Sequence, residues 1–346
     1  MQLTENFNIR PYNTFGISAT VREFQAFDNV SVLSTILKKH ANTPLYVLGG
    51  GSNVLFTGDY KGLILKNNLK GIQLLKQDQK YYYIKVAAGE PWHPFVQYCV
   101  QHGYPGLENL SLIPGLAGAS PMQNIGAYGV EIKDHFFELE AMRISDQTIR
   151  QFTNADCQFG YRESIFKKAL KGQFIILSVT FRLPKKPVLH LEYGAIKEEL
   201  SNAGITLNKT QPSIKDISEA VIRIRQRKLP DPKEIGNAGS FFKNPSIPLE
   251  QFEALKVLYP TLPAYSLPPE NTLAATHIKV AAGFLIESCG WKGYRVGDAG
   301  VHKNQALVLV NYGQATGSEI LALSQRIIES VVDKFGIHLE REVNII

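Results

Sequence analysis

The sequence predicts an α+β chain built as two or three domains, and three observations predict it. At 346 residues the chain exceeds what one hydrophobic core usually organises. Short apolar runs of strand character are interleaved with stretches of helical periodicity, so neither element type accounts for the chain alone. That alternation breaks off over Gly103–Gly129, which holds six glycines, three prolines and no lysine or arginine.

The elements follow in order. Val30 to His40 reads as an amphipathic helix, and PLYVL (44–48) as a buried strand ending in Gly49-Gly50-Gly51. LILK (63–66) and YYYIKVAAG (81–89) read as further strands, followed by a helix from Pro91 to His102. Gly103–Gly129 has no sustained periodicity, and an irregular stretch of that length inside a domain is usually functional or disordered. Its many apolar residues argue for the functional reading. Strands near 135–144 and 173–182 enclose CQFGYRESIFK. A helix near 213–227 places Ile214, Ile217, Val221 and Ile224 on one face, and the loop LPDPKEIGNAGSFFKNP (229–245) follows. Beyond it come helices near 249–258 and 280–289, the strand QALVLVN (305–311) and a long helix over 318–335. That helix has the stripe Ile320, Leu323, Ile327, Val331 and Phe335. HLEREVNII reads as a closing strand. Domain boundaries are expected near 66 and 228, with 337–346 returning to the first domain.

Composition narrows the function classes. Hydrophobic residues at 44% and charged residues at 20% describe an ordinary globular protein. No run approaches the ~18 apolar residues of a membrane span. The N-terminal MQLTENFNIRPYNTFGI lacks the apolar core of a signal peptide, so a cytoplasmic protein is expected. Cys99, Cys157 and Cys289 form no C-x-x-C pair and have no histidine at ligand spacing; buried free thiols are expected, and no metal. A net charge of +6 favours anionic partners. Basic residues are scattered, densest at Arg223, Arg225, Arg227 and Lys228, with no recognised nucleic-acid module. A phosphorylated small molecule fits better than nucleic acid.

Five segments could carry chemistry. Gly49-Gly50-Gly51-Ser52-Asn53 follows a strand. Its glycines would let backbone N–H groups approach a pyrophosphate, and Ser52 and Asn53 add side-chain donors. It is not a Walker loop, because no G-K-[ST] follows, nor the Rossmann fingerprint, because Val54 takes the third glycine position. A plain turn is the alternative. LSLIPGLAGASPMQNIGAYG (110–129) sets Ser120, Gln123 and Asn124 among glycines, and is either a second dipolar anion cradle or a loop packed on itself. In GYRESIFK (160–167), Arg162 is either a surface ion pair with Glu163 or a guanidinium aimed at a carboxylate or enolate oxygen. In GNAGSFFKNP (236–245), Ser240 lacks a histidine base and a G-x-S-x-G elbow, which disfavours a hydrolase. A serine that hydrogen-bonds a lysine and donates its proton to carbon suits the neighbouring Lys228, Lys233 and Lys243 better. Glu342 reads by alternation as one of two glutamates on a strand face, with Glu340.

Together, NTFGI, LGGGSNVL, PGLENLSLIPG, QNIGAYGVE, GYRESIFK, KLPDPK, GNAGSFFKNP, AAGFLIESCG and VHKNQALVLVN run in the order of the UDP-N-acetylenolpyruvoylglucosamine reductase family, and the chain resembles its longer type, with a tyrosine-loop insertion. The resemblance implies a two-part FAD-binding unit of the vanillyl-alcohol-oxidase type (1–66 and 67–228) and an α/β substrate-binding domain (229–336). It implies that FAD contacts Gly49, Gly50, Gly51, Ser52, Asn53, Ser120, Pro121, Gly126 and Arg225. NADPH would supply hydride through the flavin to the methylene carbon of UDP-N-acetylglucosamine enolpyruvate. Arg162 and Glu342 match the residues that stabilise the resulting aci-enolate, and Ser240 matches the general acid. Tyr193, Lys228, Asn244 and Gln305 match residues that position the UDP-sugar or the nicotinamide cofactor. One departure stands out: where relatives often read Glu-Val-Arg, this chain has Glu342-Val343-Asn344. The reading expects a monomer with no nucleic-acid or membrane partner. The alternatives are an FAD oxidase of a small alcohol or hydroxy acid, which would leave Ser240 and Glu342 without a role, and a nucleotide-binding regulator.

Overall fold

The computed structural model describes residues 3–193, 195–205, 207, 211–267 and 271–346. The chain divides into two compact units, one from Met1–Phe7, Val21–Gly51 and Tyr60–Arg227, the other from Asn8–Thr20, Ser52–Asp59 and Lys228–Ile346.

The first unit holds two sheets. In the four-stranded one the order is Thr4–Asn8, Thr20–Phe27, Tyr60–Asn67, Leu45–Leu48, and Tyr60–Asn67 runs parallel to both its neighbours. The helix Val30–Lys39 makes the crossover between strands, as parallel pairing requires. Asn29 caps it, its side chain accepting from the Val32 amide at 2.9 Å, while Leu33, Ile36 and Leu37 are buried. The five-stranded sheet is antiparallel, ordered Ile149–Thr153, Phe136–Arg143, Phe174–Pro184, Tyr81–Ala87, Ile72–Gln77. Phe174–Pro184 lies at its centre and is buried almost throughout. The helix Trp92–Gln101 buries Trp92, Phe95, Val96 and Cys99 in the same core as Val86, Val179 and Phe181. Met142, Ile175 and Leu177 of this sheet pack into a core with Phe27, Leu33, Leu63 and Leu65 of the other. The helices Ile196–Asn202 and Ile214–Lys228 share a smaller core of Ile196, Leu200, Ile217, Val221 and Ile224.

The second unit is organised by an antiparallel sheet ordered Gly236–Ser240, Val308–Asn311, Ala299–Val301, Arg295–Val296. The helix Gly317–Phe335 buries the whole expected stripe. It starts in a reciprocal capping box between Thr316 and Glu319 and stops at Gly336, whose φ of 65° suits glycine. A three-stranded sheet orders Ser246–Pro248, His277–Val280 and Ala264–Tyr265, with the helices Leu249–Leu258 and Ala282–Ser288 beside it in sequence.

Several expectations change. The loop said to contain Ser240 includes a strand, Gly236–Ser240, whose two glycines and lack of alternation hide it. QALVLVN starts as a turn, with Val308 N–H donating to Gln305 O at 3.0 Å, and only Val308–Asn311 is strand. The closing strand shrinks to Asn344–Ile345, paired parallel with Val54–Leu55, so Glu340 and Glu342 do not share a strand face. Cys99 and Cys157 are buried, but Cys289 is half-buried. The strands Thr4–Asn8, Thr20–Phe27 and Ile72–Gln77 had no alternation strong enough to mark them.

Candidate active site

In the first unit the two glycine-rich segments meet backbone to backbone. A Cβ on Gly50 would lie 2.7 Å from the Gly115 Cα, and one on Gly118 would lie 2.4 Å from the Ala88 Cβ. Glycine is therefore needed at both for space rather than for backbone freedom. The second segment is pinned by main-chain bonds, Ala117 N–H to Glu90 O at 2.8 Å and Gly118 N–H to Ala88 O at 3.0 Å. It then turns as a 3-10 helix, Ala117–Met122, which buries Ser120 and Pro121. The Ser120 hydroxyl is itself occupied, donating to Ala117 O at 2.7 Å.

A cation unforeseen in the sequence supports this cradle. Lys66 donates its ammonium to Gly49 O. Burial, with repulsion from Lys70, lowers its pKa to about 8. LILK reads simply as a strand; the pairing of Lys66 opposite Leu48 puts the amine beside the loop that Leu48 leads into. Two loops that meet at glycine, with a lysine bonded to one of them, suit the pyrophosphate of FAD.

The same unit carries Arg162. It is held at a left-handed φ of 55°, and its Nη2 donates to Gly126 O at 2.6 Å. Its Nη1 is 3.9 Å from Glu131 Oε1, and the guanidinium carbon is 5.2 Å from the centre of the Tyr161 ring. Arg225 donates Nε to Leu112 O at 3.3 Å and hydrogen-bonds Tyr128. Burial lowers the Arg225 pKa, Tyr128 opposes that shift, and Arg162 adds to it. Arg162 and Arg225 thus feel each other's charge, and paired cations suit anionic oxygens. Leu112, Asn124 and Tyr128 share positive φ with Arg162, at 59°, 45° and 50°. Such backbone costs ~1–3 kcal/mol per residue and gathers at functional sites. The half-exposed Tyr193 meets Tyr128 edge to face, with ring centres 6.1 Å apart.

In the second unit, Ser240 follows a β-bulge. Asn237 pairs with Val310 and Ser240 with Val308, so Gly236–Ser240 carries one extra residue there. Gly239, at φ 70°, absorbs it, and its N–H donates to Asn237 Oδ1 at 2.9 Å. Glu342 lies alongside: its N–H donates to Phe241 O at 2.8 Å, and Phe242 bridges to Arg341. Ser240 and Glu342 are thus brought together, while Arg162 belongs to the first unit. Asn53 donates Nδ2 to Glu342 O at 3.4 Å, and Asn344 donates its side-chain amide to Asn53 O at 2.9 Å. The residue that departs from the family pattern therefore latches the end of the first glycine segment. Lys243 is buried and paired with Glu340 at 2.5 Å. Asn244 Oδ1 accepts from the Ala282 amide at 3.0 Å, and Gln305 Oε1 would be 3.6 Å from a Cβ on Gly283, so both stand at the first turn of Ala282–Ser288. Lys228, the exposed last residue of Ile214–Lys228, is not joined to them by any hydrogen bond described.

Among the described residues no cluster of three or more histidines, cysteines or acids could hold a metal ion. Among them, too, no helix is long and apolar enough to cross a membrane.

Known proteins resemble both units. Residues 26–153 match an FAD binding domain, and 231–346 match the C-terminal domain of UDP-N-acetylenolpyruvoylglucosamine reductase. The fold class expected from the sequence, an FAD-binding part followed by a C-terminal domain of its own, holds. The UDP-N-acetylenolpyruvoylglucosamine reductase of Flavobacterium johnsoniae is 49% identical over 100% of both chains. That of Chromobacterium violaceum is 46% identical over 99% of this chain and 98% of its own. A solved structure of the enzyme from Thermus caldophilus covers 99% of this chain and 98% of its own, with a TM-score of 0.66 at 23% identity, a likeness of fold. With whole-length identity near one half and two matching domains in order, the chain belongs to the UDP-N-acetylenolpyruvoylglucosamine reductase family.

Proposed function

We propose that the chain reduces UDP-N-acetylglucosamine enolpyruvate to UDP-N-acetylmuramate, with NADPH as hydride donor, in the synthesis of peptidoglycan precursor. When bound, FAD supplies the hydride relay between the two substrates. Gly49, Gly50, Gly51, Ser52, Asn53, Ser120, Pro121, Gly126 and Arg225 hold it, by backbone donors and by the Arg225 guanidinium.

The reaction needs hydride at the methylene carbon of the enolpyruvyl group and a proton at the adjacent carbon. Between these events negative charge rests on the substrate carboxylate as an aci-enolate. Arg162 stabilises that charge by a fixed cation, and Glu342 stabilises it by a shared proton; each such donor is typically worth ~3–4 kcal/mol. Ser240 supplies the proton to carbon. A hydroxyl is a weak acid, so this role requires close placement. The observation that supports the reading is the hydrogen bond from the Glu342 amide to the Phe241 carbonyl, which pairs the backbone of Glu342 with the residue after Ser240 on the bulge. Tyr193, Lys228, Asn244 and Gln305 position the UDP-sugar, with Lys228 at the diphosphate. The hydrogen bond that Asn244 Oδ1 accepts from Ala282 orients the rest of its amide.

We read 1–66, with 337–346 returning to it, and 67–228 as the halves of the cofactor part, and 229–336 as the substrate domain. The protein acts as a cytoplasmic monomer. Anaerobic stopped-flow tests the function. NADPH should bleach the flavin, and the enolpyruvyl substrate should restore its colour. Reduced enzyme that the substrate fails to reoxidise would overturn the assignment.

A further inference from the structure

The glycine segment and the segment 160–167 that carries Arg162 are joined by buried polar groups that the reaction does not itself use. Asn124, fully buried, donates Nδ2 to Gly160 O at 3.0 Å and to Glu131 Oε2 at 2.8 Å. Its Oδ1 accepts from the Lys133 amide at 3.1 Å. Ser164, also buried, donates its hydroxyl to Met122 O at 2.7 Å. Arg162 lies between these two tethers. Its guanidinium reaches back to Gly126 O, and Gly126 stands opposite Glu131 in the short hairpin pairing. The approach is tight: a Cβ on Gly126 would lie 2.8 Å from Glu131 Cγ and 3.0 Å from Arg162 Nη1.

From this geometry we infer that Glu131 is the positioning residue of Arg162. Its two carboxylate oxygens serve different ends. Oε1 faces the guanidinium at 3.9 Å, and Oε2 binds the asparagine that fixes the loop on which Arg162 stands. The carboxylate thus aligns the side chain by charge and the backbone by hydrogen bonding, and holds a left-handed residue that would otherwise relax. Lys133, 3.6 Å from Glu131 Oε2, balances part of the charge. The residue touches neither substrate nor flavin in this assignment. It acts on the reaction through the direction in which Arg162 points.

The inference rests on the reading of Arg162 as the stabiliser of the aci-enolate, and the experiment separates the two. Glu131→Gln keeps an oxygen for Asn124 and removes the charge facing Arg162; Arg162→Ala removes the stabiliser. Each is loaded with FAD, checked by thermal unfolding, and followed through both half-reactions, with substrate affinity for oxidised enzyme measured by calorimetry. Glu131→Gln should slow reoxidation by substrate ~10-fold or more while leaving reduction by NADPH and substrate affinity within about 3-fold. If Arg162→Ala slows reoxidation and Glu131→Gln does not, the positioning role is wrong. If neither slows it, the reading of Arg162 itself falls. Should Glu131→Gln not fold, Asn124→Ser tests the same brace, and normal reoxidation in that variant overturns the proposal.

Discussion

The amide of Glu342 donates to the carbonyl of Phe241 at 2.8 Å, so the glutamate is paired by its backbone with the residue directly after Ser240. The proposed acid and the proposed stabiliser therefore ride on adjoining strips of chain. Ser240→Ala and Glu342→Gln should each lower the reoxidation rate by ~10²–10³-fold, the usual loss for one transition-state donor. Reduction by NADPH should survive in both. Equal losses in the two half-reactions would contradict these roles.

Gly239 tests the bulge. A Cβ there meets nothing within 4 Å, so Gly239→Ala adds no clash and only forces alanine to φ 70°. That strain is worth ~1–2 kcal/mol. A urea titration should show a loss of this size, and reoxidation should fall by more than stability explains, because relaxing the bulge turns Ser240. A variant with full activity would show that Ser240 does not depend on the bulge for its aim.

Gly50 tests the cradle. Gly50→Ala places a methyl 2.7 Å from the Gly115 Cα, where backbone must yield. Overpacking costs ~1–3 kcal/mol. Expressed as FAD affinity, that is about fivefold to 150-fold. Fluorescence titration of the FAD-free protein measures it, and an unchanged dissociation constant would remove the contact between the two glycine segments from the cofactor site.

Lys66 gives a pH signature. Its pKa in the folded chain is about 8 against an ordinary 10.5. Between those values the unfolded chain holds the proton and the folded chain does not, so stability rises with pH across the window. Below about 8 the full cost of burying the ammonium applies. FAD-free protein should therefore gain stability from pH 8 to 10.5, and Lys66→Met should lose that gain. A pyrophosphate nearby favours the charged lysine, so FAD binding takes up a proton above pH 8 and weakens there. Pulse-free equilibrium unfolding and FAD titrations at several pH values check both slopes.

Much of the architecture was legible because burial imposes a period. Val30–Lys39, Trp92–Gln101 and Gly317–Phe335 each carry a one-sided apolar stripe, and their bounds fall within a residue or two of the reading. Gly236–Ser240 was illegible as a strand because its residues are small and its register breaks at the bulge. HLEREVNII alternates like a strand, yet its early residues form a single isolated antiparallel bridge, Arg341 with Phe242, rather than a ladder. The proposed site draws on clusters of glycine, serine and arginine that stand out in the sequence. Lys66, Glu131 and Asn344 do not, since each acts through a partner far along the chain or through the shape of a turn. No local pattern records that Lys66 finds Gly49 O or that Asn344 finds Asn53 O.

The second unit is assembled from three stretches of chain, and its earliest stretch is indispensable to its sheet. Asn311 donates Nδ2 to Phe15 O at 2.9 Å, Asn237 N–H donates to Thr14 O at 3.0 Å, and the Phe15 ring packs edge-on against Phe241. On the ribosome, residues 8–20 emerge first and must wait for more than two hundred others before their partners exist. The half bearing Ser240 therefore closes after synthesis is nearly done, and a gene fragment starting at Lys228 would translate a sheet without its inner wall.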